Sequence, residues 1–136
     1  MKIDCEDIKL FQIALEASKN AYAPYSDFPV GAALATGNGI FTGCNVENRS
    51  YGAGICAERT AIVKAVSSGC RDFKALAVAA PKSPDPVSPC GICRQVISEF
   101  CNDDFPVIFG TSEKELIKVS IRELYPFNSL EKLKDL

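Results

Sequence analysis

Two short segments carry residue types and spacings that can hold a catalytic metal ion. They are residues 56–58, Cys-Ala-Glu, and residues 89–93, Pro-Cys-Gly-Ile-Cys. Thiolates from Cys56, Cys90 and Cys93 would leave one position of a tetrahedral zinc ion open to water. Glu58 lies two residues from the first ligand, where its carboxylate can move the protons of that water. The spacing therefore predicts a hydrolytic metal centre.

The cysteines also allow three simpler interpretations. Cys90 and Cys93 alone form a dithiol motif typical of redox proteins. A structural zinc site needs four protein ligands, and Cys44 is a candidate for the fourth. All seven cysteines can also be packing residues. Glu58 beside Cys56 favours the catalytic interpretation. Because the chain contains no histidine, any metal ligands must be cysteines or carboxylates, and no general base can be an imidazole.

Helix geometry constrains how these side chains can meet. Cys56 and Glu58 are two residues apart, so their side chains leave a helix in nearly opposite directions and converge only beyond its end. We therefore expect the helices that follow Cys56 and Cys90 to point their N-termini at one metal ion. The positive ends of both helices would offset the negative charge of three thiolates on zinc. We expect Arg59 and Arg94 near the sulfurs, with Arg59 donating to a ligand sulfur.

The pattern of apolar residues predicts one domain, residues 1–136, with elements in the order α-β-β-α-β-α-β-β-α. Asp4 is expected to cap the first helix, and residues 37–39, Gly-Asn-Gly, indicate a hairpin turn. Alternation of helices and strands in the middle of the chain favours an α/β fold with a mixed sheet between helical layers. The expected helices cover residues 5–21, 56–68, 91–100 and a short segment after Ser120, and the expected strands cover 30–34, 40–46, 74–80, 105–109 and 116–119.

Composition argues against several functional classes. Fifteen Lys and Arg against seventeen Asp and Glu give a net charge of −2 without a basic run, so we expect no nucleic-acid partner. No stretch is long and apolar enough to span a bilayer, and the N-terminus lacks the apolar run of a signal peptide. We therefore expect a cytoplasmic protein without membrane contact, whose cysteines stay reduced.

The two cysteine segments resemble the signature of the zinc nucleoside and nucleobase deaminases. That signature is His or Cys, any residue and Glu, followed later by Pro-Cys-x-x-Cys. The likeness to the small cytidine deaminases covers nearly the whole chain and rests on four motifs in the same order, at residues 22–34, 43–48, 56–61 and 88–95. A cysteine as the first ligand points to the short homotetrameric form of that family.

The resemblance implies a three-layer α/β/α sandwich with a mixed five-stranded sheet and one zinc ion per subunit. It implies hydrolysis of cytidine and 2′-deoxycytidine to uridine and 2′-deoxyuridine plus ammonia, as in pyrimidine salvage. In that reaction zinc-bound hydroxide attacks C4 of the ring, and Glu58 carries protons to N3 and to the leaving amino group. The alternatives are a deaminase of a related aminopyrimidine, such as a nucleoside antibiotic, and a zinc-stabilised binding module.

The resemblance also implies which residues meet the substrate. Asn45 and Glu47 match the ribose-binding pair, and a separation of two residues would place both side chains on one face of a strand. Phe28 matches the aromatic residue that lies against the pyrimidine ring. The backbones of Ala57 and Ser88, on either side of the site, are expected to meet the polar edge of the pyrimidine base.

Two further aromatic residues correspond to positions that complete the pocket of a neighbouring subunit in the homotetramer. Tyr51 belongs to the Gly-rich loop of residues 51–54. Phe127 directly follows Pro126, whereas the family usually has a longer spacing between this proline and the aromatic residue. We therefore expect pockets that are shared between subunits, with Tyr51 and Phe127 as contributors.

Overall fold

The computed structural model describes residues 1–135, and its elements follow the predicted order. The elements are α1 (Cys5–Ser18), β1 (Gly31–Thr36), β2 (Gly39–Cys44), α2 (Ala57–Ser67), β3 (Phe73–Ala79), α3 (Gly91–Phe100), β4 (Pro106–Gly110), β5 (Leu116–Ser120) and α4 (Ile121–Leu124), with 3₁₀ turns at Tyr51–Ala53 and Glu131–Asp135. None of the helices in residues 1–135 combines the length and apolar character needed to cross a membrane.

A local signal in the sequence accounts for the start of α1, whereas two other element ends differ from the prediction. Asp4 caps α1 through a capping box with Asp7, as its position predicts for a cap. The helix ends at Ser18 rather than near residue 21, and the Ser18 hydroxyl donates to the Leu15 carbonyl. Strand β2 ends at Cys44 rather than at residue 46. Beyond it, Val46 forms only isolated bridges to two other segments.

The sheet has the strand order β2-β1-β3-β4-β5, with β3 and β4 parallel and the other neighbours antiparallel. Consecutive residues of a strand point to opposite sides of the sheet, and in the central strands both sets are apolar. Both faces of the sheet are therefore apolar. Leu34, Leu76 and Val107 pack in the cluster that contains the buried residues of α2 and α3. Ala33 and Ala77 pack with the residues of α1 on the other side. The predicted sandwich with a mixed five-stranded sheet is confirmed.

A glycine in β2 lets the helix that carries the metal-binding motif approach the sheet closely. A Cβ atom at Gly43 would collide with the backbone of Ala57 and Ala61 in the first turns of α2. The N-terminal end of α2 therefore rests directly on the strand backbone. This contact fixes the position of Cys56, which immediately precedes the helix.

Candidate active site

The three predicted ligand cysteines form one cluster. Their Sγ atoms all lie within 4.8 Å of one another, and the Sγ atoms of Cys56 and Cys90 are 3.7 Å apart. Tetrahedral zinc with Zn–S bonds of about 2.3 Å separates its sulfurs by about 3.8 Å, so the donor set fits this metal. Within residues 1–135, neither Cys44 nor a carboxylate joins the cluster. A tetrahedral ion held here has one position without a protein ligand.

Two helix N-termini meet at this cluster, as predicted. Cys56 is the N-cap of α2 and Cys90 is the N-cap of α3, while Cys93 lies in the first turn of α3 and is fully buried. The unpaired amides of both first turns place positive partial charge beside the sulfurs. A hydrogen bond from Cys93, supported by Arg59, lowers the pKa of Cys56 to about 5. That shift favours the thiolate form, which is the form that binds metals.

Two arginines were predicted near the sulfurs, and they behave differently. Arg59 donates from Nη2 to the Sγ atom of Cys56 at 3.6 Å, the contact that was expected. Its buried Nε atom has no hydrogen-bond partner among the described residues. Arg94 makes no hydrogen bond to a sulfur within residues 1–135. Its guanidinium donates instead to the Pro89 carbonyl, the Ser88 hydroxyl and the Leu124 carbonyl.

The orientation of Arg94 follows from its position in α3. One residue along a helix turns the side chain by about 100°. Arg94 therefore leaves α3 on a different side from its neighbour Cys93, towards the end of α4. Its donors are engaged by loop and helix oxygens and not by a sulfur, and the expectation that its charge offsets that of the thiolates stays a prediction.

Glu58 lies in the first turn of α2 and is only 4% exposed. Desolvation by burial raises the pKa of its carboxyl to about 7, and the nearby charge of Cys56 acts in the same direction. A carboxyl group with a pKa near neutrality can both accept and donate a proton during a reaction. Its position and its pKa therefore suit a general acid and base.

A cavity of about 390 Å³ opens beside the cysteines and Glu58. This volume lies in the range of small-molecule sites. Ala57, which is fully buried, also lines it at the start of α2. Four other residues that line the cavity were not predicted from the sequence, although Ser26 and Val30 belong to the motif at residues 22–34. These are Ser26, Val30, Val78 and Val87.

The predicted ribose-binding pair lies in the wall of this cavity, but not on one face of a strand. Both residues follow the end of β2 and hold the segment that carries Phe28. Asn45 accepts a hydrogen bond from the Val30 amide at 2.8 Å and donates to the Phe28 carbonyl at 2.9 Å. Phe28, Asn45 and Glu47 all line the cavity.

Glu47 binds the same segment closer to its N-terminal end, at Tyr25 and Ser26. Its carboxylate accepts hydrogen bonds from the Tyr25 amide at 3.0 Å, the Ser26 amide at 3.1 Å and the Ser26 hydroxyl. The Ser26 hydroxyl bond, followed by the two amides, lowers the pKa of Glu47. A carboxylate that stays ionised accepts hydrogen bonds well, so Glu47 is suited to hydroxyl groups of a ligand.

The chain does not bring Tyr51 or Phe127 into the cavity that contains the cysteines. Tyr51 is 85% exposed and lies beside a second cavity of about 330 Å³, which shares Ser26 and Glu47 with the first. Phe127 is 88% exposed. That these two residues complete the pocket of a neighbouring subunit therefore stays a prediction.

Known proteins resemble this chain along most of its length. Residues 5–109 match the family described as the cytidine and deoxycytidylate deaminase zinc-binding region. A cytidine deaminase of Sporosarcina psychrophila is 51% identical over 119 residues, which cover 87% of each chain. The crystal structure of a cytidine deaminase from Burkholderia pseudomallei superposes with a TM-score of 0.83 at 42% identity, covering 91% of this chain and 98% of that one.

A relative with another substrate in its name is also similar. The blasticidin-S deaminase of Bacillus cereus is 36% identical over 132 residues, covering 91% of this chain and 92% of its own length. A match over 91% of the chain includes both cysteine segments and β3, the strand between them. On the family match and the identities together, the chain belongs to the cytidine and deoxycytidylate deaminase family.

Proposed function

We propose that the chain hydrolyses cytidine and 2′-deoxycytidine to uridine and 2′-deoxyuridine, with release of ammonia. The observation that carries the proposal is the position of Glu58, a buried carboxyl group beside three clustered cysteines in the wall of a 390 Å³ cavity. The cytidine deaminases among the relatives support the choice of substrate. The chemistry needs only water as a second reactant.

One zinc ion per subunit is proposed as the cofactor, held by Cys56, Cys90 and Cys93. The spacing of the sulfurs and the low pKa of Cys56 fit a zinc–thiolate site. When bound, zinc supplies Lewis acidity that lowers the pKa of a water molecule from about 15.7 to about 7 in favourable sites. Arg59 and the two helix N-termini offset the negative charge of the thiolates, which preserves that acidity.

Glu58 carries the protons of the proposed reaction. Its carboxylate first takes a proton from water and delivers it to N3 of the pyrimidine ring, which makes C4 more electrophilic. The oxygen of that water forms a bond to C4. Glu58 then takes the remaining proton of the new hydroxyl group and passes it to the amino group, the C4–N bond breaks, and ammonia leaves. A pKa of about 7 supports both directions of transfer, because the two protonation states are then close in free energy.

The remaining cavity residues are proposed to position the nucleoside. Phe28 lies against the pyrimidine ring, and the backbones of Ala57 and Ser88 face its polar edge. Asn45 and Glu47 contact the ribose. Both side chains already hold the Phe28 segment, and each retains capacity, because an amide has two donors and a carboxylate has several acceptor positions.

A homotetramer with shared pockets is proposed as the working assembly. Tyr51 and Phe127 are large aromatic side chains that are 85% and 88% exposed, and such residues often mark interaction surfaces. Sedimentation of the purified protein measures the subunit number directly. A monomer with full activity would contradict the sharing of pockets.

The proposed reaction is tested by the ultraviolet change of cytidine incubated with the zinc-loaded protein. Glu58→Gln removes the proton carrier without changing size, and we expect it to retain zinc and to lower kcat by about 100- to 10,000-fold. Glu99→Gln is the matched control, because Glu99 is an exposed residue of α3. Comparable turnover by wild type and Glu58→Gln would contradict the role of Glu58.

The blasticidin-S relative supports one alternative substrate. That alternative is an aminopyrimidine nucleoside antibiotic, processed by the same cavity with the same general acid and base. Turnover of blasticidin S is measured under the conditions used for cytidine. A higher kcat/KM for the antibiotic would replace the proposed substrate while leaving the proposed chemistry in place.

A further inference from the structure

Arg94 joins two segments that are distant in sequence. Its Nε atom donates to the Pro89 carbonyl at 2.7 Å, and Nη2 donates to the Ser88 hydroxyl at 2.8 Å. Its Nη1 atom donates to the Leu124 carbonyl at 2.6 Å. One side chain therefore ties the residues directly before Cys90 to the last residue of α4.

The far end of this link is firmly held. Leu124 ends α4, a short helix that begins with a capping box between Ser120 and Glu123. Its first residue, Ile121, is 3% exposed and belongs to the core on the α2 and α3 side of the sheet. The Leu124 carbonyl is one of the unpaired carbonyls at a helix end, where a cationic donor is favourable. It offers Arg94 a fixed anchor.

A second set of hydrogen bonds runs beside the first. The Tyr125 hydroxyl donates to the Gln95 side-chain oxygen at 2.6 Å, and the Asn128 amide donates to the Ser98 hydroxyl at 3.3 Å. Ser98 is itself a buried residue of α3. The chain after α4 therefore lies along α3, and the bond between Arg94 and Leu124 is the part of this contact nearest to the cysteines.

Cys90 is the ligand that depends most on such support. Cys93 is fully buried inside the first turn of α3, and Cys56 follows a residue that bridges to Val46. Cys90 is exposed and ends the irregular segment 80–90, which contains four prolines and no helix or strand. The bond from Arg94 to the Pro89 carbonyl holds the peptide group that directly precedes it.

We infer that Arg94 is a positioning residue that slows the loss of zinc by fixing Cys90 against the core. The planar guanidinium serves three oxygens in different directions from one rigid group, which a lysine ammonium on a flexible stem cannot reproduce. Residues that orient metal ligands typically change metal affinity by about 10- to 100-fold when they are replaced. The inference rests on the proposed zinc site, and it does not depend on the proposed reaction.

The test measures how fast zinc leaves the protein. Zinc-loaded wild type, Arg94→Lys and Arg122→Lys are mixed with excess of a zinc-binding dye, and colour is followed with time. Arg122 is the matched control, because it is an exposed arginine of α4 paired with Asp103. We expect zinc to leave Arg94→Lys about 10- to 100-fold faster than wild type. Arg122→Lys is expected to stay within about twofold of wild type, as for a surface ion pair.

A second measurement separates positioning from general stability. The urea midpoint of unfolding is determined for each protein with and without zinc. If Arg94 positions a ligand, Arg94→Lys reduces the increase in midpoint that zinc produces. A dye reaction as slow as that of wild type would overturn the inference. So would a variant whose midpoint falls equally with and without zinc, since Arg94 would then stabilise the fold alone.

Discussion

The proposed metal centre and the wall proposed to face the substrate lie in the same cavity but are built in different ways. The proposed metal centre comes from two helix N-termini. Cys90 and Cys93 lie three residues apart at the start of α3, and Cys56, 34 residues before Cys90, is brought to them at the start of α2. The wall around Phe28 depends on hydrogen bonds between residues 15 to 22 positions apart. The helices impose the geometry of the metal centre, whereas side chains that also face the ligand impose the geometry of the wall.

This difference changes what a substitution reports. A cysteine of the proposed metal centre would act on the metal directly, so its replacement would remove one defined function. Asn45 and Glu47 support the Phe28 segment and also face the space proposed for the ribose. Replacing either one changes the shape of the wall together with any contact to the sugar, and a single kinetic constant cannot separate the two effects.

The largest expected effect comes from breaking the metal centre. Cys93→Ala removes a fully buried ligand of the proposed zinc ion. We expect the purified variant to hold little zinc and to lose more activity than the roughly 100-fold typical of outer-shell changes. Zinc per chain, measured by atomic absorption, and deamination of cytidine are the two readouts.

Cys44→Ala is the control for that variant, because Cys44 is only partly buried and lies outside the cluster. It is expected to keep one zinc ion per chain and wild-type activity. If Cys44→Ala lost zinc as Cys93→Ala does, Cys44 would be a fourth ligand. The interpretation as a structural zinc site would then regain support.

A smaller effect is expected from a substitution in the wall. Comparing two substrates separates the change in the shape of the wall from the loss of the contact to the sugar. Asn45→Ala removes two hydrogen bonds to the segment of residues 28–30. We expect kcat/KM for 2′,3′-dideoxycytidine, which lacks the 2′- and 3′-hydroxyl groups of the sugar, to fall by about 10-fold or more. The fall for cytidine is expected to be larger, because the contact to the sugar is lost as well.

The control is Asn20→Ala, at an exposed asparagine after α1. Both substrates should be turned over by this variant as they are by wild type. Unchanged turnover of the dideoxy substrate by Asn45→Ala would show that the bonds to the Phe28 segment are dispensable. Equal losses for both substrates would show that Asn45 does not contact the ribose.

The same contrast explains how much of the site could be predicted from the sequence. Helix spacing predicts that Cys90 and Cys93 lie together, whereas the meeting of Cys56 with this pair, 34 residues away, was predicted from the deaminase-like signature. The direction of Arg94 depends on where α4 ends, and no pattern within α3 contains that information. Asn45 was assigned to a strand, but β2 stops one residue earlier because Gly31 pairs with Cys44 at the end of the ladder.

For a related reason, the fold could be predicted from the sequence more completely than the wall of the cavity. Caps, turns and apolar alternation act over a few residues, so Asp4, the turn at residues 37–38 and the buried strands could be identified locally. The bonds of Glu47 to the Tyr25 and Ser26 amides join two loops whose approach is set by the whole sheet. Such contacts require the tertiary structure.

The smallest expected effect concerns a cysteine outside the metal centre. Desolvation by burial raises the pKa of Cys101 to about 12, whereas the pKa of Cys56 is lowered to about 5. In the unfolded chain a cysteine ionises near pH 8.5. Between that pH and about 12 the unfolded state has released the Cys101 proton while the native state keeps it, so the free energy of unfolding decreases as the pH rises.

Urea unfolding at pH 8 and pH 10 should therefore show a larger loss of stability in wild type than in Cys101→Ala. Equal losses would mean that Cys101 is as free to ionise in the folded protein as in the unfolded chain.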